Sequence, residues 1–178
     1  MIDFKEKYDK HVVPEFMKKH GCVSLLAVPR LEKISVNIGI GKIRDDKERD
    51  AISKYLMMIS GQKVTERSAK KAIASFKTRE GMTIGLAVTL RGRRMFDFLS
   101  RFINVALPRT RDFRGIEEKS LDHHGNLTIG VREHIVFPEI IGEDVKNIFG
   151  MSITLQTNAK NRTAALEMFK LLGLPFKT

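Results

Sequence analysis

The side chains that could do chemistry in this chain are placed for recognition of an anion. Lys33, Ser35, Asn37, Thr65, Gly85, Ala87, Thr89, Arg91, Asn126, Thr128, Gly130, Arg132, Ser152, Thr154 and Gln156 all fall at outward positions of stretches that alternate polar and apolar residues. None is aromatic and none is acidic. The set offers amides, hydroxyls and cations, which donate and accept hydrogen bonds and neutralise charge. It offers no convergent acid and base of the kind an active site needs. Such a face suits the phosphates and 2′-hydroxyls of a structured RNA, read by shape. A reader of single-stranded RNA would instead present Phe or Tyr for base stacking.

Charge points the same way. Between Gly61 and Arg114 stand 13 Lys or Arg against 4 Asp or Glu, so this stretch holds +9 of the net +11. At its centre, Ile84, Leu86, Val88 and Leu90 alternate with Thr83, Gly85, Ala87, Thr89 and Arg91, the two-residue period of a half-buried strand. One face is apolar, and the other is small, hydroxylated and finally basic. A basic surface of small residues admits a large polyanion at close range.

The remaining composition bounds the class. At 178 residues the chain can bury roughly 70% of its unfolded surface, and 42% hydrophobic residues supply the core. The expectation is one domain spanning residues 1–178. A single cysteine, Cys22, excludes an internal disulfide and fits a reducing compartment. The first twenty residues are charged throughout and no stretch approaches membrane-spanning length, so a soluble, cytoplasmic protein with no membrane partner is expected.

These positions need elements to hold them. Helical spacing places Phe4, Tyr8, Val12, Phe16 and His20 on one stripe of residues 2–19, with Pro14 kinking the helix or starting its second half. Residues 33–39 alternate Ile34, Val36 and Ile38 inward. Residues 46–60 return to helical spacing through Ile52, Tyr55, Leu56 and Ile59, and Gly61 ends them. A short strand near 63–66 and a turn around 77–82 lead to the central strand. Residues 94–107 put Met95, Phe98, Leu99, Phe102 and Ile103 on one stripe closed by Pro108, followed by a long charged loop over 108–124. Residues 126–132 and 152–157 read as strands, and 162–172 as a helix with Asn161 at its N-cap. The sum is an α+β fold: a mainly antiparallel sheet with helices packed on one face and a polar face open for RNA.

Longer segments carry a family resemblance. Val28-Pro-Arg-Leu-Glu-Lys-Ile-Ser-Val-Asn37, Gly61-Gln-Lys63, Ala69-Lys-Lys71, Arg79-Glu-Gly-Met82, Val88-Thr-Leu-Arg-Gly92, Ala106-Leu-Pro-Arg-Thr-Arg-Asp-Phe-Arg-Gly115, Phe137-Pro-Glu-Ile140 and Gly173-Leu-Pro-Phe176 are similar to the bacterial-type large-subunit ribosomal protein number five, a 5S rRNA-binding family. The match is colinear and runs almost end to end. It implies a structural ribosomal protein with no enzymatic activity and no cofactor or metal. It also implies as partners 5S rRNA, large-subunit rRNA, the peptidyl-site tRNA and a small-subunit protein at an intersubunit bridge.

Carried over by position, the resemblance implies that Asn37, Gln62, Thr65, Thr89 and Arg91 face 5S rRNA. Lys33, Lys63 and Arg93 join them as phosphate contacts on charge alone. The run Lys77-Thr78-Arg79-Glu80-Gly81-Met82 matches a tRNA-facing loop, in which Gly81 permits the turn and Lys77 and Arg79 meet the tRNA backbone. One departure is Leu121-Asp-His-His-Gly-Asn126, where the family pattern has an aromatic, Asp, Gly, Arg, Gly, Asn. The turn is expected to persist, and His124 puts in doubt a contact made by the usual Arg.

Other motifs read as structure. Asn37-Ile-Gly39-Ile-Gly41-Lys42 lacks the third glycine of a dinucleotide fingerprint and the GK[ST] of a P-loop, so it reads as a turn ending a strand. His20 and Cys22 have no second pair at zinc spacing. His123 and His124 read as a solvated turn. Asp45-Asp46, Glu117-Glu118 and Glu143-Asp144 read as loop or helix-start acids. Lys70-Lys71 lies inside the basic stretch and reads as part of it. Two function classes stay open on these residues: a structural ribonucleoprotein component, and a small basic α+β enzyme acting on phosphoanions. A membrane-surface role is weaker, because the cations do not line one amphipathic helix.

Overall fold

The structure is a computed structural model that describes residues 4–21, 24–43, 45–140 and 148–177. Cys22 and the pair Glu143-Asp144 lie outside the described residues. The chain opens with helix α1, residues 4–20, in which α-helical Phe4–Lys7 and Val13–His20 flank a π turn at Tyr8–Val12. Pro14 follows that turn after Val13. Proline has no N–H to continue the ladder, and the wider turn closes through Val13 N–H to Tyr8 O before the missing donor arrives. Phe4, Val12 and Phe16 are buried as the stripe predicts, and Gly21 ends the helix in the left-handed region at φ 60°.

Strand β1 (Leu31–Gly39) leads to helix α2 (Asp46–Ser60), which begins where Asp45 Oδ1 accepts the Lys47 N–H at 3.0 Å. Strand β2 (Thr65–Ser68) starts two residues later than the sequence pattern suggests, leaving Lys63 exposed in the connection. The delay has a tertiary cause. Ser60 Oγ donates to Gln62 O at 3.2 Å and Gln62 Nε2 donates to Thr89 O at 3.1 Å. These bonds hold 60–62 against the end of strand β3 (Thr83–Leu90), so the ladder opens only at Thr65 opposite Ala87.

Helix α3, residues 92–109, repeats the device of α1. An α-helical stretch at Gly92–Arg101 passes through a π turn at Phe102–Ala106, closed by Leu107 N–H to Phe102 O, and ends at Leu107–Arg109. Pro108 therefore does not close the helix, as its sequence position suggests; the turn before it absorbs the missing donor and the helix runs on to Arg109. Strands β4 (Leu127–Val131) and β5 (Met151–Thr157) follow, and helix α4 (Arg162–Leu172) completes the fold. Asn161 occupies the N-cap of α4 with extended geometry, but its side chain caps nothing.

The five strands form one sheet in the order β2-β3-β1-β5-β4, with every pairing antiparallel. Its inner face presents Ile34, Val36, Ile38, Leu86, Val88, Leu90, Ile153 and Leu155, all buried. The helices cover that face with Leu56, Ile59, Phe98, Leu99, Phe102, Met168 and Phe169, which share one hydrophobic core with the strands. Burying each such side chain stabilises the fold by about 1.5–3 kcal/mol. The helices thus lie to one side, and the other face is left to solvent.

Candidate nucleic-acid interface

Strand register turns the outward residues into rows. One row runs Thr128, Thr154, Ser35, Thr89 across β4, β5, β1 and β3. The next runs Gly130, Ser152, Asn37, Ala87 and reaches Thr65 on β2. A third joins Gly39, Gly85 and Arg67, and Lys33 stands opposite Gln156. The rows are polar or small throughout. Thr128 and Thr154 share a hydrogen bond between hydroxyls at 3.1 Å. The side-chain amide of Asn37 takes no partner among the described residues and is exposed. Gly85 keeps this place low, because a Cβ there would lie 3.3 Å from Ile38 O and 3.9 Å from Asn37 Oδ1.

One nearby acid is held off this face. Glu66 stands opposite Leu86, not Ala87, and accepts a hydrogen bond from Thr83 Oγ1 at 3.0 Å. Glu32 is exposed at the bulge where the pairing of β1 with β5 shifts between Leu31 and Lys33.

Most of the sequence-derived candidates converge. Asn37, Thr65 and Thr89 share the face, with Lys33 near its lower end. Gln62 is tied to Thr89 O, which explains how a residue off the strands comes to border them. Arg91 lies one residue beyond β3 in extended geometry, φ −139° and ψ 164°, and is exposed. Arg93, also exposed, lies in the first turn of α3 within 4.0 Å of Asp97. Arg67 was missed by the sequence reading, although alternation from Thr65 would have found it. Two outward assignments need correction. Asn126 precedes β4 and spends its side chain internally, its Oδ1 accepting from Thr157 N–H and its Nδ2 donating to Asp122. Arg132 lies beyond the end of β4, facing a pocket at the edge of the sheet.

The turn at 122–126 does persist around His123 and His124, which are exposed. Asp122 Oδ1 accepts the N–H groups of His124 and Asn126 at 2.9 and 2.7 Å. Desolvation opposes ionisation of Asp122, but these hydrogen bonds outweigh it and hold the carboxyl below its ordinary value. Gly125, at φ 79°, passes so close to α4 that a Cβ would sit 2.9 Å from Ala165 Cβ.

The connection from β2 to β3 has a different shape from the one its glycine suggests. Ile73 and Thr78 bridge each other, with N–H to O distances of 3.1 and 3.2 Å, and the distal turn is Ala74–Phe76. Lys77 takes the left-handed conformation there, at φ 52°. Gly81, at φ 81°, lies at the base, where its N–H bonds Ala69 O at 3.0 Å. Lys77 and Thr78 therefore belong to the tip, while Arg79, Gly81 and Met82 belong to the root. The tip also exposes Phe76 (74%) and Ile73 (46%), which the sequence reading did not single out.

The rival motifs resolve into structure. Neither Gly39 nor Gly41 has a positive φ, and Ile40 N–H bonds Ile84 O, so this stretch is a turn leaving the sheet and not an anion-binding loop. His20 stacks on Phe16 at 4.3 Å and hydrogen-bonds Glu167. No group of three or more metal-ligating side chains occurs among the described residues, and no described helix is long and apolar enough to cross a membrane.

A basic α+β protein with one polar sheet face open to solvent has the form expected of a structural ribonucleoprotein component. Comparison with known families agrees. Residues 24–79 match the family described as ribosomal protein L5, and residues 83–176 match the model of that ribosomal family's C-terminus. The protein named large ribosomal subunit protein uL5 of Desulforamulus reducens is 49% identical over 177 residues, covering 99% of this chain and 98% of its own. Its namesake in Halothermothrix orenii is 48% identical over 172 residues, covering 96% of each chain. That of Kosmotoga olearia is 48% identical over 179 residues, covering 99% of this chain and 97% of its own. The chain belongs to the ribosomal protein L5 family. It is a structural protein of the large ribosomal subunit, with a role in translation and no enzymatic one.

Proposed function

We propose that the chain acts as one unit that binds 5S rRNA on its polar sheet face and anchors it in the central protuberance of the large subunit. The observation that carries this reading is the set of polar rows running across all five strands, small enough to admit an RNA helix and with no acid at any row position. Asn37, Thr65 and Thr89 supply hydrogen bonds to ribose and phosphate, with Gln62 at the border. Lys33, Lys63, Arg91 and Arg93 neutralise phosphates around them. Strands from both family segments share the sheet, which supports a single domain. The tip with Lys77 and Thr78, and Arg79 at its root, reaches for the peptidyl-site tRNA. Contacts to large-subunit rRNA and a small-subunit bridge protein complete the partners expected of the family.

The test is a salt series on purified protein with folded 5S rRNA. Neutralising about five phosphates gives a slope of log affinity on log salt of roughly −4. Binding to 5S rRNA should outlast binding to random duplex as salt rises. A slope near zero, or equal affinity for any duplex, would refute the reading.

A further inference from the structure

Beyond the sheet face, at the far edge past β4, Arg111, Arg114, Arg132 and Lys177 line one cavity of about 430 Å³. This is within the roughly 300–1,000 Å³ of clefts that hold small ligand groups. None of the four cations has an ion-pair partner among the described residues. Of the two acids in the wall, Glu117 pairs with Lys119 and also lies within electrostatic reach of Lys177, so two acids face four cations. Like charges in excess round a cavity repel one another, and an anion removes that cost.

The cavity is also built, and not a chance gap between side chains. The loop bends through Asp112 at φ 51° and Gly115 at φ 98°. The C-terminal tail then locks it, with Ile116 N–H bonding Pro175 O at 2.8 Å and Lys177 N–H bonding Ile116 O at 2.9 Å. The fit is so close that a Cβ at Gly115 would lie 2.8 Å from Lys177 N. This lock carries Lys177 to the arginines. Phe113, half-buried in the wall, adds an aromatic surface that the sheet face lacks. Gly130 belongs to both the wall and the outward row of β4, so the cavity opens beside the polar face.

We propose that this pocket holds a backbone phosphate of ribosomal RNA, with Arg111, Arg114 and Lys177 as its ligands and Phe113 beside the adjoining ribose or base. Arginine forks match phosphate oxygens in pairs, and an aromatic wall suits an unstacked nucleotide. The proposal rests on the reading of the chain as an RNA-binding ribosomal protein, but places a contact where neither the sheet face nor the β2–β3 loop provides one. The phosphate has two possible sources, 5S rRNA and the large-subunit rRNA.

Full-length protein and its Arg111→Gln/Arg114→Gln/Lys177→Gln variant are titrated, over a salt series, with 5S rRNA and separately with deproteinised large-subunit rRNA. The variant should lose about tenfold or more in affinity for one of them, with its salt slope flattened by about one unit per cation removed. The RNA that shows the loss is the source. Melting temperature reports folding, and Arg114→Gln alone serves if the triple variant melts early. Unchanged affinity and slope for both RNAs overturn the proposal. Inorganic phosphate binding that the variant loses while keeping both RNA affinities also overturns it, making the pocket a free-anion site. If the unaltered protein binds neither RNA, the proposed function fails instead, and the two failures are told apart.

Discussion

The two faces of the sheet differ by a single step along each strand, and that step separates the core from the face proposed for recognition. The inner row of Ile129, Ile153, Val36 and Val88 crosses β4, β5, β1 and β3 in register, and all but Ile129 are buried. One residue along, the outer row of Thr128, Thr154, Ser35 and Thr89 crosses the same strands with hydroxyls to solvent. Both rows are short-chained and mostly β-branched, so both favour the strand. They differ in what they do for the molecule. Inner side chains lose water on folding, while outer ones stay at the surface, where the proposed RNA would meet them. Substitutions on the two faces should therefore move different observables.

The largest effect is expected deep on the inner side. Phe98 is 1% exposed and stacks with Phe102 and Phe137 at ring-centroid distances of 6.1 and 6.0 Å. Phe98→Ala should cost about 3–5 kcal/mol of stability by denaturant titration. The affinity of the remaining folded fraction for 5S rRNA should stay the same, and a loss of affinity greater than the unfolded fraction accounts for would break the separation of the faces.

A neighbouring pair sharpens the comparison at smaller magnitude. Thr89→Val keeps volume and β-branching, so folding should change little while 5S binding weakens by about 1–3 kcal/mol. Val88→Thr should do the reverse, lowering stability by about 1–3 kcal/mol with binding intact. Arg91→Ala should weaken binding at least as much as Thr89→Val and flatten the salt slope by about one unit. Filter binding and thermal melts on the same samples read both. Normal binding by Thr89→Val together with normal folding by Val88→Thr would mean the faces are assigned backwards.

These assignments were legible because alternation is a local property. Ile34, Val36 and Ile38 point inward whatever strand they pair with, and the bounds of α2 and α4 follow from apolar spacing with Gly61 and Gly173 beyond them. What could not be read depended on remote contacts. The late start of β2 comes from Gln62 reaching Thr89 O, and Asn126 leaves the polar face because Thr157 and Asp122 claim its amide. The π turns before Pro14 and Pro108 answer a missing donor; at Pro108 the sequence suggests the end of the helix, whereas Pro14 starts the second half of its helix, one of the two readings its position allows. The tip of the β2–β3 loop was misplaced because Gly81 advertises one turn, while the other uses a positive φ at Lys77, a residue type that signals nothing. The basic pocket of Arg111, Arg114, Arg132 and Lys177 joins positions from three separate stretches, and only the folded tail brings them together.

The loop sets where the outer face stops. Lys77 and Arg79 are exposed on the excursion beyond β2 and β3. Replacing both with Ala should leave 5S affinity within about threefold, since phosphate contacts outside the footprint add little to it. Retention of peptidyl-site tRNA on assembled ribosomes should weaken. A larger drop in 5S affinity would extend the recognition face onto the loop and assign it to the wrong partner.

The smallest expected effect tests the inner side by pH. His134 is fully buried, its ring stacked on Phe149 at 3.9 Å and tilted against Tyr55 at 5.4 Å, and its Nε2 has no partner among the described residues. Burial disfavours the imidazolium and pushes the folded-state pKa below the ordinary 6.5. The unfolded chain then binds the proton more readily than the folded one. Stability from this group is present above pH 6.5, declines as pH falls below it, and levels off beneath the folded pKa. The chain carries four other histidines, so the observable is the difference in melting temperature between the unaltered protein and His134→Phe. That difference should shift against the unaltered protein as pH drops from 7 to about 5, with 5S affinity at neutral pH unchanged. A difference constant over that range would show that the imidazole titrates as freely as in the unfolded chain, and the site between Tyr55 and Phe149 would not be the dry environment its packing describes.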